Sequence, residues 1–279
     1  MKKELYRPDF LKDYLGFGVA GNFANHLDEA GEGDEFAQVA AAKDAPKGLF
    51  PFYIPGHDSF LGEFPICDDI INHAELEHLQ VEAELGMICD FEYKDGKMID
   101  IIPRYFTAFN DTSDRIQNGN KLSTKKNWGK STKGISNEFI EIDNFTKDGI
   151  LNNYHISSFV RRNGIVHDYG TTSAVNSYSY FFEQLRTWMV DKFNTQEDCG
   201  PLEELSPFLK DIEKSKGLLI AAGATAYAEF GKKHFLEKGD EIFIYIYNAH
   251  VHSFNDIEND MCGMGVHLEQ CSKLHQTVE

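Results

Sequence analysis

The stretch Leu79-Gln80-Val81-Glu82-Ala83-Glu84-Leu85 alternates apolar and polar side chains, which is the period of a β-strand. Leu79, Val81, Ala83 and Leu85 fall on one side, and Gln80, Glu82 and Glu84 on the other. Both glutamates therefore leave the strand from the same face. Two like charges about two strand residues apart repel each other unless a positive group lies between them, and an all-oxygen cluster suits a hard divalent cation. A third carboxylate follows in Phe109-Asn110-Asp111. Taken alone, these residues read as a solvated strand face, because charged side chains are mostly exposed.

Working outward, the neighbouring segments are also strand-like. Leu49-Phe50-Pro51-Phe52-Tyr53-Ile54 and residues 81–91 and 104–109 are separated by Pro, Gly and Asp-Gly signals, which mark turns. Asp95-Gly96 and Asn163-Gly164 each sit between apolar runs, the pattern of a two-residue hairpin turn. Short strands are expected at 140–142 and 156–160, a helix over 177–193, and a long strand over 240–252, where Ile242, Ile244 and Ile246 alternate with Phe243, Tyr245 and Tyr247. Residues 117–138, with Lys121, Lys125, Lys126, Lys130 and Lys133, read as a polar loop. Residues 15–45 are rich in Gly, Ala and acidic side chains and read as a mobile, mainly helical flap. No linker or repeat divides the chain. One β-rich α+β domain over residues 1–279 is expected, with residues 16–48 forming a lid within it.

The charge balance restricts the partners. The chain of 279 residues carries 27 basic and 45 acidic side chains, a formal net charge of -18, which repels nucleic acid and anionic membranes. An anionic substrate would need positive charge supplied locally. The five cysteines are scattered without metal-ligand spacing, so reduced thiols are expected. The amino terminus, Met1-Lys2-Lys3-Glu4-Leu5-Tyr6, develops no apolar stretch with a cleavage site. The longest uncharged run, residues 217–228, falls short of the roughly 20 residues of a membrane helix. A soluble, cytoplasmic protein is expected.

Gly16-Phe17-Gly18-Val19-Ala20-Gly21 matches a dinucleotide fingerprint, but that motif requires a preceding strand and a βαβ unit. Asp9-Phe10-Leu11-Lys12-Asp13-Tyr14 is a poor strand, so the match is set aside. Directly after it, His26 and Glu29 are three residues apart, on one face if the segment is helical. A carboxylate beside an imidazole orients the ring and stabilises its protonated form, as a base acting on water requires.

With these pieces assembled, the sequence resembles the fumarylacetoacetate hydrolase family, in its smaller acylpyruvase-like branch. The similar features occur in family order. They are residues 21–29 with Asn22, His26 and Glu29; the aromatic and Pro-rich residues 50–65; Glu82-Ala83-Glu84-Leu85; residues 109–115 around Asn110-Asp111 and ending in Arg115; Gly129-Lys130-Ser131; Asn163-Gly164; and Phe235-Leu236-Glu237-Lys238-Gly239-Asp240. The resemblance implies a β-roll of mixed sheets with a helical amino-terminal flap, and Mg²⁺ or Mn²⁺ held by Glu82, Glu84 and Asp111. It implies His26, paired with Glu29, as the base that activates water, Lys130 as a catalytic cation, and Arg115 and Thr225 as carboxylate-binding residues. The implied reaction is metal-dependent cleavage of a carbon–carbon bond in an acylpyruvate-like 2-oxo acid, and a homodimer is the expected assembly. Decarboxylation of oxaloacetate, hydration or isomerisation of an unsaturated dioic acid, and metal-and-acid binding without turnover remain alternatives.

The chain departs from the family after Lys130, where Thr132-Lys133 replaces Phe-Asp and no Gly-Pro pair follows. It departs again at Gly223-Ala224-Thr225-Ala226 in place of Gly-Thr-Pro, and at His167 where Gln is usual. The acidic segment beyond Asp256 has no family counterpart. These positions shape the substrate pocket more than the metal site, so the substrate is expected to differ.

Overall fold

The computed structural model describes residues 3–23, 36, 38–39, 41–42, 44–116 and 120–279. Its framework grows from the two hairpins. Asp95 and Gly96 have φ of 51° and 78°, and Asn163 and Gly164 have φ of 52° and 79°. Positive φ at both central residues gives a turn whose twist matches that of paired strands. The first turn joins strands Ala83–Lys94 and Lys97–Asn110, and the second joins Tyr154–Arg162 and Ile165–Ala174.

The first hairpin is the centre of a mixed sheet ordered Lys3–Leu5, Glu138–Glu141, Lys97–Asn110, Ala83–Lys94, Gly217–Ala221, Tyr14–Ala20 and Gly48–Tyr53. A branch adds Lys133–Ile135, antiparallel to Lys97–Asn110 and parallel to Ile66–Cys67. The second hairpin starts a sheet that continues through Glu241–Asn248, Cys271–Val278 and Ile70–Ile71. Leu85 and Phe106 of the first sheet share one core with Ile156, Ile244 and Leu274 of the second. The helix Phe182–Thr195 packs on the Lys97–Asn110 strand. It buries Leu185, Met189 and Phe193, whose spacing of four residues puts them on one helix face. The mixed-sheet α+β architecture matches the fold class expected from the sequence.

Two expectations are corrected, and one unplaced segment gains a structure. The amino-terminal part of the predicted lid is a core strand: Tyr14–Ala20 runs parallel to Gly217–Ala221 and antiparallel to Gly48–Tyr53. Its glycines make room for aromatic rings rather than for a phosphate. A Cβ on Gly16 would stand 2.4 Å from the Phe52 ring, and one on Gly18 would stand 2.1 Å from the Phe50 ring. Gly18→Val is therefore expected to destabilise the protein by about 1–3 kcal/mol through overpacking. An unchanged urea midpoint would show that the Phe50 ring has room to swing away.

The segment beyond Asp256, which has no counterpart in the family resemblance, carries a core strand. Cys271–Val278 pairs with Glu241–Asn248 in register from Glu241↔Thr277 to Tyr247↔Cys271, with Ser272 and Gln276 as buried as Leu274. Lastly, the strand of residues 79–85 is interrupted. Leu79–Gln80 pairs with Ser113–Asp114, and Ala83 opens the long strand, leaving Val81 and Glu82 at the break. No described helix is long and apolar enough to cross a membrane.

Candidate metal centre

The first hairpin positions the carboxylates. Ala83 pairs with Asn110 and Glu84 with Phe109, so the start of one strand lies beside the end of the other and Asp111 follows directly. Backbone bonds complete the arrangement. The Asp111 amide donates to the Glu82 carbonyl at 2.9 Å, and the Glu82 amide donates to Asn110 Oδ1 at 3.3 Å. One carboxylate oxygen from each of Glu82, Glu84 and Asp111 lies within 4.8 Å of the others. The three residues are 4%, 2% and 0% exposed, which excludes a solvated strand face.

Three buried anions need compensation, and the neighbouring loop provides most of it. Lys126 Nζ lies 2.6 Å from Glu82 Oε2 and 2.7 Å from Asp111 Oδ2. Lys133 Nζ lies 2.7 Å from Asp111 Oδ1 and donates to the Thr112 carbonyl at 2.5 Å. Arg115 Nη2 donates to Glu82 Oε1 and to the Tyr227 hydroxyl, each at 2.6 Å, while its Nε donates to Gln80 Oε1 at 2.7 Å. Ser113 Oγ also donates to Glu82 Oε1, at 2.8 Å. Glu84 differs: its Oε2 accepts the Gly223 amide at 2.7 Å, and the Lys126 charge favours its anion only partly, against burial and the neighbouring carboxylates.

The titration behaviour follows from this asymmetry. Burial raises the Glu84 carboxyl well above the usual carboxylate range, and the Asp111 charge adds to the effect. Burial pushes Lys133 down to about 8, against the opposing pull of Asp111. Both Asp111 oxygens face ammonium groups at 2.7 Å, yet neither receives a hydrogen bond in good alignment. An all-carboxylate donor set, poorly aligned Asp111 oxygens and a Glu84 that favours its neutral form together fit a hard divalent cation. Glu82, Glu84 and Asp111 are the residues that can hold it.

A narrow cleft opens beside the carboxylates, lined also by Val19, Ala20, Phe50, Leu122, Lys126 and Ala224. The expected site residues fall around it unequally. Lys130 is exposed and does not reach the cluster. The cations there are Lys126, which follows the short turn Leu122–Lys125, and Lys133, on its own short strand. Asn127 anchors the Lys126 backbone by donating to the carbonyls of Phe52, Phe60 and Glu63. Arg115 lies behind the carboxylates, bound to Gln80, Glu82 and Tyr227, instead of facing the cleft. Thr225 is buried, with its amide donating to the Ala83 carbonyl at 3.2 Å, and its neighbour Ala224 is the one that lines the cleft. His26 and Glu29 lie outside the described residues. In the sequence, five lysines between 121 and 133 look alike. The one local hint is that Lys133 begins the alternating run Lys133-Gly134-Ile135.

A family model described as a family of unknown function, DUF5718, matches residues 32–278. The chain belongs to that family. None of the curated proteins compared matches it in sequence, whereas solved structures match its fold. A 2-keto-3-deoxy-D-arabinonate dehydratase, solved with magnesium and 2,5-dioxopentanoate, superposes with a TM-score of 0.54 at 16% identity, over 96% of this chain and 73% of its own. A 5-carboxymethyl-2-hydroxymuconate delta-isomerase from Mycobacterium smegmatis gives a TM-score of 0.55 at 14% identity, over 99% of this chain and 81% of its own. A candidate fumarylacetoacetate hydrolase family protein from Yersinia pestis gives 0.54 at 12% identity, over 95% and 93%. The fold is thus the one that the resemblance implied.

Proposed function

We propose that the protein is a divalent-metal-dependent enzyme that hydrolyses a carbon–carbon bond in an acylpyruvate-like 2-oxo acid. The observation that carries this reading is the buried convergence of Glu82, Glu84 and Asp111 on a cleft. Mg²⁺ or Mn²⁺ held by these carboxylates would supply Lewis-acid polarisation of two substrate oxygens.

The chain's own residues would do the rest. His26, oriented by Glu29, takes a proton from water as the water oxygen bonds to the acyl carbonyl carbon. The bond from that carbon to the 2-oxo acid breaks, and its electron pair passes to the departing fragment. A proton returned to that fragment completes a carboxylic acid and a shorter 2-oxo acid. Lys126, the cleft-lining cation, takes the electrostatic part expected of Lys130. Arg115 holds Glu82 in place rather than gripping substrate. The fold shared with a dehydratase and an isomerase supports a second reading, in which the same site runs dehydration, isomerisation or decarboxylation.

The test is turnover of acetylpyruvate, oxaloacetate and a wider 2-oxo acid panel, with and without Mg²⁺, by wild type and His26→Ala. Hydrolysis is expected to fall by about 10²–10⁴-fold in the variant while Mn²⁺ binding is retained. Unaltered turnover would falsify the assignment of His26 as base. A filled metal site with no turnover on any acid would identify a binding protein instead.

A further inference from the structure

We propose that Lys126 is a displaceable internal cation: its ammonium occupies the place of the divalent ion in the metal-free protein and leaves when the ion enters. This rests on the metal reading above and concerns how that site is filled. Lys126 Nζ bridges Glu82 Oε2 and Asp111 Oδ2 at 2.6 and 2.7 Å, so it stands between two of the three carboxylates that would bind metal. Mg²⁺ approaches oxygen to about 2.0–2.1 Å, and an ion bonded to those carboxylates would have the ammonium as an immediate like-charged neighbour. The two cations compete for the same pair of carboxylates, and in this proposal the ammonium gives way.

The structure distinguishes Lys126 from the other two cations. Arg115 is tied to Gln80 and Tyr227 as well as Glu82. Lys133 is 0% exposed and bonded to the Thr112 carbonyl. Neither lines the cleft, whereas Lys126 does. An exit is also provided, because Lys126 Nζ already lies 5.3 Å from the centre of the Phe50 ring, and Phe50 forms part of the same cleft wall. An ammonium moving along that wall keeps an aromatic face beside it. Asn127 holds the adjacent backbone to three carbonyls, so the proposed exchange is a movement of the Lys126 side chain along the cleft wall.

The lysine thus solves a problem that three buried carboxylates create for a protein folding without metal: it neutralises the site until the ion arrives. The ion must then compete with it, so the metal affinity of the wild type is lower than the carboxylates alone would give.

The experiment measures Mn²⁺ binding by electron paramagnetic resonance, and thermal unfolding with and without Mn²⁺, on metal-stripped full-length wild type, Lys126→Met and Lys126→Gln. The neutral variants are expected to bind Mn²⁺ about tenfold or more tightly than wild type, the scale of couplings within one charge network. They should unfold at a lower temperature without metal and gain more from adding it. Equal affinity in wild type and variants would overturn the exchange while leaving the metal site standing. Lost binding in the variants alone would make Lys126 a requirement and not a competitor. No binding by any folded form, wild type included, would overturn both the exchange and the metal reading. Lys126→Gln, which keeps a donor near Asp111, covers the case in which the methionine variant fails to fold.

Discussion

Asp111→Ala is expected to destabilise the metal-free protein by about 3–5 kcal/mol, the cost of stripping a buried charge of its partner, and to abolish Mn²⁺ binding. Asp111 is 0% exposed and faces two ammonium groups, Lys126 and Lys133, which are 3% and 0% exposed. Both ammonium groups are buried, and Lys133 does not border the cleft. Lys133 has the further difficulty that burial already pulls its proton affinity down to about 8 with Asp111 helping to hold the proton. Removing Asp111 takes that help away, so Lys133 relaxes by losing its proton, which limits the damage but leaves a neutral amine where an ion pair stood. Urea unfolding of the metal-free variant measures the loss. A change below about 1 kcal/mol, the range of exposed pairs, would mean that both lysines find water and that the buried network does not exist in solution.

Glu84→Gln should have the opposite effect on the same metal-free protein. Glu84 is a buried carboxylate with two carboxylate neighbours and one backbone donor, and its pKa is raised by burial first and by Asp111 second. A raised folded-state pKa means that the native protein holds the proton more tightly than the unfolded chain does. The resulting stability is fully present below the unfolded value of 4.5 and is lost as pH climbs through the higher folded value. The glutamine variant is neutral at every pH and escapes that loss. It should match wild type near pH 4 and become more stable as pH rises toward neutrality, by about 1–2 kcal/mol, or a few degrees in Tm for a chain of this size. Added Mn²⁺ should reverse the order. Wild type gains about 2.7 kcal/mol at a hundredfold excess over Kd, while the variant, lacking one ligand, gains far less. Metal binding by wild type should also release a proton, which calorimetry in buffers of different ionisation enthalpy detects. If the variant is less stable than wild type at neutral pH without metal, the account of Glu84 as a strained anion is wrong.

The parts of the molecule legible in the sequence are those set by neighbours along the chain. Asp95-Gly96 and Asn163-Gly164 dictated two hairpins because their backbone preferences are local. The alternation around Glu82 and Glu84 placed them on strands, although the strand breaks at Glu82 itself. Two other strands escaped local reading. Tyr14–Ala20 looked like flap because its glycines lower strand propensity, while the structure needs them small to seat Phe50 and Phe52. Cys271–Val278 was not among the expected strands, and its hydrophilic Ser272 and Gln276 carry no sign of burial, yet both are 0% exposed. Their side chains are satisfied from distant positions: Ser272 Oγ by the Glu138 carbonyl and Gln276 by Asn110 and the Ile70 carbonyl.

By itself, then, the sequence determined the inventory: three carboxylates on strand-like words, a supply of lysines after them, a β-rich chain and a resemblance that ordered these pieces. Only the tertiary structure decided which cations meet which anions. It brought Lys126 and Lys133 to Asp111, turned Arg115 onto Glu82 and Tyr227, and left Lys130 at the surface. The physical reason is that a charge's role depends on desolvation and on partners within a few ångströms. Those are properties of how distant segments pack, and adjacent residues of the same type carry no mark of which one will be buried.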